Sequence, residues 1–389
     1  MPPQASPPRF ARLMEGGVRA LLWQIALVAT VIWMIVWMGL NARAALEAQG
    51  MTSGFGFLTT STSFSMGAGF FNFTPSDSYL KAFAVGVGNT LVMSAASIVT
   101  ATLLGGVIGA MSLAKNPIPS GVAQAYVYLF RNTPQLLQIV FWYTAFAAMP
   151  VAREAISLGG AAFVSNRGLT VPAPIDGKTA GLSALALILG LLALLILRHT
   201  ARSFAPEARW PKSVIVAALC ALGPPLAVWA LRGAPMEWSI PSLGRFNFSG
   251  GVTLPPEFTA IYFGLSFYIA AFIAEIVRGG IQGVDAGQIE AARTIGLTES
   301  QTMFRIIVPQ ALRMIIPPLT AQFISLLKNS SLGVAVGYPE LFSISNTALT
   351  YSGRTIEVLT IMALIYLALS LAIGAAGAAF NRFVQYPSR

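Results

Sequence analysis

Charged residues are scarce in this sequence. Only 10% of its 389 residues are Asp, Glu, Lys or Arg, whereas 55% are hydrophobic and the mean hydropathy is +0.70. A soluble domain carries about a quarter charged residues. The shortage, together with long apolar runs, indicates a chain whose solvent is the lipid bilayer. The net charge of +10 is scattered beside those runs, which favours contact with membrane lipid and argues against a nucleic-acid partner.

Cysteine and histidine are almost absent, with Cys220 and His199 the single examples. Disulfides, cysteine zinc sites and histidine metal clusters are therefore excluded, and we predict no metal site. Asp and Glu together number 14. They fall mostly in loops and show no spacing that suggests a catalytic pair, so we predict no catalytic residue.

A phosphate-binding loop is also missing. The nearest pattern is "PAPIDGKTA", which ends like a nucleotide-binding loop but has Pro172 in the place of the first glycine. We therefore expect this chain to bind no ATP and no other cofactor. Its energy source would be an ion gradient or another subunit.

Long apolar segments dominate what is present, and they predict an all-α integral membrane protein with about eight transmembrane helices. The predicted spans are 21–40, 82–112, 122–148, 182–198, 213–231, 257–279, 312–333 and 357–380. Fourteen lysines and arginines then lie inside and eight outside, which predicts that both termini are cytoplasmic. Stretches 41–81 and 149–181 are rich in Gly, Ser, Thr and Pro, which is typical of loops, and 182–231 resembles an inserted hairpin.

Polar and charged residues within the spans are candidates for a translocation path, because charge at membrane depth is costly. Pro134 and the "KNSSL" segment indicate breaks in helices, which membranes tolerate where they line a cavity. The candidate residues are Arg131, Gln135, Gln138, Ser266, Glu275, Lys328, Asn329 and Ser330. Glu275 and Arg278 lie three residues apart on one helix face, and the alternative is that they satisfy each other.

A second polar series runs through "GVGNTLVMSAASIVTATLLGGVIGA", which includes Asn89 and Thr90. Close helix packing through small residues explains most of this pattern. A polar path is the alternative.

The segment 285–310 is polar in an otherwise apolar chain. "DAGQIEAARTIG" predicts a short helix with Asp285 as its N-cap and Gly296 as a left-handed stop. A second helix is predicted to begin after Thr298 and to be interrupted by Pro309. Ile289, Ala292 and Ile295 form a narrow apolar face, which either docks into a partner's groove or lies on lipid.

"EAARTIGLTESQTMFRIIVP" resembles the cytoplasmic signature of ABC importer permeases. Six of its seven signature positions match, and Val308 replaces the usual leucine. The matching residues are Glu290, Ala291, Ala292, Gly296, Ile306 and Pro309. The resemblance implies that these residues form a coupling helix that contacts a cytoplasmic ABC ATPase dimer, where ATP and Mg would bind.

Three further segments, "FRNTPQLLQIVFWY", "SFYIAAFIAEIVRGGIQGV" and "PPLTAQFISLLKNSSL", resemble the polar amino-acid branch of these permeases. The long chain resembles the permeases of general L-amino-acid importers in Gram-negative bacteria. The resemblance implies a type I importer fold with a five-helix core in 82–385, an insertion at 151–256, and a separate N-terminal part, 1–81. It also implies an inner-membrane location, a second related permease and a periplasmic amino-acid-binding protein.

Two other classes of protein remain open on the residues alone. An ion-gradient-driven secondary transporter would need internal repeats, and none is convincing. A membrane scaffold would leave the charges within the helices without a role.

Overall fold

The computed structural model describes residues 9–48, 54–67, 69–176, 179, 181–183, 186, 214–233, 237–244 and 247–384. These parts of the chain are mainly helical, which confirms the predicted class. The helices are α1 Arg9–Ala48, α2 Tyr79–Ser112, α3 Pro117–Asn132, α4 Gln135–Ala147, α5 Val214–Leu231, α6 Pro256–Gln282, α7 Ala286–Thr294, α8 Glu299–Thr302, α9 Val308–Asn329, α10 Leu341–Ser352 and α11 Thr355–Val384.

Four described helices are long and apolar enough to cross a membrane: Leu21–Asn41 within α1, then α2, α6, and Thr355–Arg382 within α11. They correspond to four of the predicted spans. The predicted span 213–231 is the helix α5, and most of the span 182–198 lies outside the described residues.

The predicted span 122–148 is two helices, which confirms the predicted break at Pro134. α3 ends at Asn132 and α4 begins at Gln135, because Pro134 has no N–H to continue the helical ladder. Gln138 holds the break by donating from Nε2 to the Thr133 hydroxyl at 2.6 Å and to the Phe130 carbonyl at 3.0 Å. The break therefore forms a fixed corner that satisfies most of its polar groups.

The predicted interruption at Pro309 was wrong. A π-helical turn, Met303–Ile307, leads directly into α9, and Pro309 lies in the first turn of that helix. A proline in this position needs no hydrogen-bond partner for the N–H it lacks, so the chain stays helical through it.

α6 is the centre of the bundle and packs against α2, α3, α4 and α9. Its contact with α2 is close because Gly105 and Gly109 bring the two backbones together. A Cβ atom at Gly105 would lie 2.7 Å from the Ala270 carbonyl oxygen, and one at Gly109 would lie 2.8 Å from that of Ala274. Small residues four apart therefore form the α2–α6 seam, as the packing interpretation of this helix predicted.

Residues 151–256, which were predicted to be an insertion, contain short strands that the sequence did not predict. They are β1 Ile156–Leu158, β2 Ala162–Ser165, β3 Gly168–Val171, β4 Ala173–Pro174, β5 Trp238–Ser239, β6 Ser242–Leu243, β7 Phe248–Ser249 and β8 Val252–Leu254. Strands of two to four residues are too short to show an alternating pattern. The order β1-β2-β3-β8, with Leu169 opposite Leu254, joins the two ends of the insertion beside the start of α6.

Candidate functional site

The polar loop between α6 and α9 forms a helix–turn–helix, and its local signals act as predicted. Asp285 caps α7 by accepting from Gly287 N at 2.8 Å. Gly296 has a φ of +81° and ends the helix, with Leu297 N donating to Ala292 O at 3.0 Å. Thr298 and Gln301 then form a reciprocal capping box at the start of α8. The turn between the two helices is therefore fixed by hydrogen bonds on both sides.

The apolar face of α7 was predicted to meet either a partner's groove or lipid, and for two of its three residues the structure shows neither. Ala292 is buried, and Ile289 packs against the cluster of Val284, Ile307 and Ala311 beneath it. α7 thus uses its apolar face to bind its own bundle, because that face lies directly over α9. Glu290 and Ala291 are exposed on the opposite face.

The apolar residue that α7 presents outward is Ile295, with 74% of its surface exposed. Gly296 is exposed beside it, whereas Ile306 and Pro309 are half-buried. Lys115, in the turn before α3, donates to Glu299 at 2.9 Å, and this hydrogen bond lowers the pKa of the Glu299 carboxyl below its usual value. This bond therefore joins the turn between α2 and α3 to the start of α8.

The predicted path residues separate into two groups and three single positions. In the first group, Asn329 Nδ2 at the end of α9 donates to Gln135 Oε1 at the start of α4, at 2.7 Å. Both helices are broken at this level, and Gln138 is buried one turn along α4. Within the described parts of the chain, Gln135 Nε2 and Gln138 Oε1 are buried and have no hydrogen-bond partner.

The second group joins α3 to α6. Arg278 Nη2 donates to Glu275 Oε2 at 2.8 Å, so the pairing expected from their spacing is present. Arg131 Nη1 lies 3.8 Å from the same oxygen, and its guanidinium carbon is 5.2 Å from the centre of the Phe272 ring. Arg131, Phe272 and Glu275 line an open cleft of about 390 Å³ that also includes Gln124 and Tyr128.

Three predicted residues lie outside both groups. Ser266 is fully buried on α6, and its hydroxyl lacks a partner among the described residues. Ser330 is also buried, but its hydroxyl donates to the Leu327 carbonyl at 2.7 Å. Lys328 is exposed on the surface of this single chain.

The sequence analysis missed two buried carboxylates, Glu357, which accepts from Gly54 N at 2.7 Å, and Glu340. Glu340 is fully buried and caps α10 by accepting from Phe342 N at 2.8 Å and Ser343 N at 2.6 Å, while Tyr366 donates to it at 3.0 Å. The charge inventory covered only the predicted spans, and Glu340 lies between two of them. An acidic residue directly before "LFSIS" is a helix-start signal that could have identified it.

The sequence is similar to known membrane transport proteins. Residues 213–386 match the family described as "Binding-protein-dependent transport system inner membrane component". The chain is 38% identical over 361 residues to the general L-amino acid transport system permease protein AapQ of Rhizobium johnstonii, covering 92% of this chain and 90% of that protein. It is 40% identical over 379 residues to the putative amino-acid ABC transporter permease protein YhdX of Escherichia coli, covering 96% and 95%.

A third relative is the glutamate/glutamine/aspartate/asparagine transport system permease protein BztB of Rhodobacter capsulatus. The identity is 33% over 427 residues, covering 100% of this chain and 99% of that protein. Because these alignments cover at least 92% of the chain, they include most of the insertion as well as the helical core.

Proposed function

The chain belongs to the amino-acid ABC transporter permeases, a branch of the binding-protein-dependent inner membrane transport components, and we propose that it moves polar or general L-amino acids across the inner membrane. The observation that supports this cargo most strongly is the similarity along almost the whole chain to permeases named for general L-amino acids and for Glu, Gln, Asp and Asn. A binding protein outside the membrane would deliver the amino acid.

ABC importer permeases work with ATPase and binding-protein partners. In this chain the ATPase dimer would contact the helix–turn–helix at Glu290, Ala291, Ile295 and Gly296, and would hold the ATP and Mg. Both termini would then be cytoplasmic, in line with the excess of basic residues on that side. A second, related permease would complete the pathway, and we expect a heterodimer because the insertion makes this chain unusually long.

The two polar groups suit a zwitterionic cargo. The guanidinium of Arg131 can bind a carboxylate, while Glu275 and the free amide oxygen of Gln138 can accept from an ammonium group. The pairing of Glu275 with Arg278 keeps this acid from being an isolated charge at membrane depth. An amino acid that binds to Glu275 would therefore compete with the hydrogen bond that this side chain already accepts from Arg278.

Reconstitution tests the proposal. The chain is combined in liposomes with the candidate sister permease, ATPase and binding protein, and uptake of labelled Glu, Gln, Asp and Asn is measured. We expect uptake that needs ATP and persists when ionophores remove proton and sodium gradients. Uptake that follows an ion gradient and ignores ATP would instead identify a secondary transporter.

A substitution at Gln135 tests the first polar group. Replacing it with leucine keeps the volume but leaves Asn329 without its acceptor, a loss of roughly 1–3 kcal/mol at a buried site. We expect KM for uptake to rise about tenfold while ATPase association stays unchanged. Thr144→Val, which removes an exposed hydroxyl from the same helix, is the matched control. An unchanged KM in Gln135→Leu would show that this pair has only a structural role.

A further inference from the structure

The connection between α1 and α2, which was predicted to be a loop, lies across one end of the helix bundle. The helices α7 and α8 lie at the opposite end. The middle of the connection, residues 69–71, is called the strap here. Phe70 stacks edge-on against Phe258 of α6 with ring centroids 4.9 Å apart. The ring of Phe71 lies over Gly88 of α2, where a Cβ atom would be 2.5 Å from the ring. The strap therefore touches two of the core helices.

Asn89 of α2 lies directly beneath the strap and uses both ends of its amide. Its Oδ1 accepts from Phe70 N at 3.2 Å, and its Nδ2 donates to Pro339 O at 2.8 Å. The residue is fully buried. One side chain thus connects the strap to the loop that carries Tyr338, Pro339 and Glu340.

That loop is continuous with the predicted path. It directly follows the 3₁₀ turn Ser330–Val336, which itself follows Lys328 and Asn329 at the end of α9. Tyr338 N donates to Gly333 O at 3.1 Å, and Leu341 N donates to the Thr90 hydroxyl at 3.0 Å. A movement of the strap would therefore be transmitted from Asn89 to the end of α9 through the hydrogen bonds of Pro339 and Tyr338.

The strap is held weakly between two firm anchors. On one side Phe64 is buried, and on the other Tyr79 is buried, in one hydrophobic cluster with Phe57 and Phe83. Between them Phe70 and Phe71 are 41% and 46% exposed. Among the contacts of the described residues, the Asn89 bond and the aromatic contacts of Phe70 and Phe71 are those that must break to release the strap, because the anchors can remain in place.

We propose that the strap is the outer gate of the translocation path and that Asn89 is the positioning residue that holds it closed. This proposal rests on the proposed import function, since amino acid must enter from the end of the bundle opposite the ATPase. Asn89 is thereby a part of the gate's closure, whereas the sequence analysis left it open between packing and lining the path.

A cross-link tests whether the strap must move. In a Cys220→Ala background, which removes the single cysteine, Gly69→Cys is combined with Asn89→Cys. A Cβ atom at Gly69 would lie 3.3 Å from Asn89 Cγ, which is compatible with a disulfide. We expect the oxidised protein, assembled with its partners, to lose ATP-dependent uptake about tenfold or more and to regain it on reduction. Gly69→Cys alone and Asn89→Cys alone are the controls, because a Cβ atom at Gly69 would lie 2.7 Å from Asn89 Nδ2 and each single substitution disturbs the contact between the strap and Asn89.

Two results would overturn the proposal: a disulfide that fails to form, or a cross-linked transporter that imports as fast as its reduced form. If the parent assembly shows no ATP-dependent uptake, the import function itself fails. A labelling measurement separates the two cases, because it does not need transport. The rate at which a membrane-impermeant maleimide modifies Gly69→Cys is compared with and without ATP.

Asn89→Leu keeps a similar volume and removes both the acceptor for Phe70 N and the donor to Pro339 O. We expect it to raise the labelling rate at Gly69→Cys about tenfold without ATP, the population shift that the loss of the hydrogen bond to Phe70 N produces. Phe71→Ala, at a half-exposed position that leaves the core intact, should raise it in the same direction. Labelling that neither variant nor ATP changes would reduce Asn89 to a packing residue.

Discussion

Gly105→Ala is expected to destabilise the folded protein strongly, because it adds a methyl group where no space exists. The new Cβ would lie 2.7 Å from the Ala270 carbonyl oxygen and 2.7 Å from Ile273 Cβ. Both atoms belong to α6, the helix on which the whole bundle packs. Overpacking of this kind costs about 1–3 kcal/mol or more, a large fraction of a typical stability.

The neighbouring glycine supplies the control. A Cβ atom at Gly106 would have no heavy atom within 4 Å, and alanine favours helix more than glycine does by up to ~1 kcal/mol. We therefore expect Gly106→Ala to keep or raise the midpoint of thermal unfolding in detergent, while Gly105→Ala lowers both the midpoint and the yield of monodisperse protein. Equal midpoints for the two variants would contradict the close α2–α6 seam.

Ile295→Asp is expected to abolish recruitment of the ATPase without affecting folding. Ile295, directly after α7, is an apolar side chain with 74% of its surface exposed. If it fills an apolar pocket on the ATPase, a carboxylate there is buried without a partner. Such an anchor contributes about 2 kcal/mol or more, so the affinity should fall at least ~30-fold. Binding of the purified ATPase to the detergent-solubilised permease measures this directly.

Ile118 is a matched control, since it is also 74% exposed and lies in the first turn of α3, near the same end of the molecule. Ile118→Asp should leave the ATPase affinity within about threefold of the parent, and Ile295→Leu should restore most of it. Equal losses in Ile295→Asp and Ile118→Asp would show a general effect of added charge. Unchanged affinity in both would remove Ile295 from the interface.

Local signals in the sequence were sufficient to predict the turn between α7 and α8. Asp285, Gly296 and Thr298 each act on neighbours within a few residues, through caps and a left-handed backbone. The same is true of the helix break at Pro134, where the loss of one N–H stops the ladder. The sequence did not show that Pro309 would lie in a first helical turn after a π turn, whose Ile307 is buried in a cluster with Val284, Ala311 and Ile315.

The orientation of the coupling helix needed the tertiary structure. Its apolar residues recur at a helical spacing, but the period alone does not tell whether that face meets a partner or the chain's own bundle. The structure places Ala292 and Ile289 inward because Ile307 and Ala311 of the following segment offer them an apolar surface. Glu290, Ala291 and Ile295 are left for the partner.

By itself the sequence determined the membrane environment, most of the long helices and the coupling turn, because apolar length, caps and glycine backbones act over one or two helical turns. Only the tertiary structure decided which polar groups meet. Asn329 pairs with Gln135 across 194 residues, and Asn89 pairs with Pro339 across 250. Such contacts depend on how separate helices pack, and no single helix carries that information in its own period.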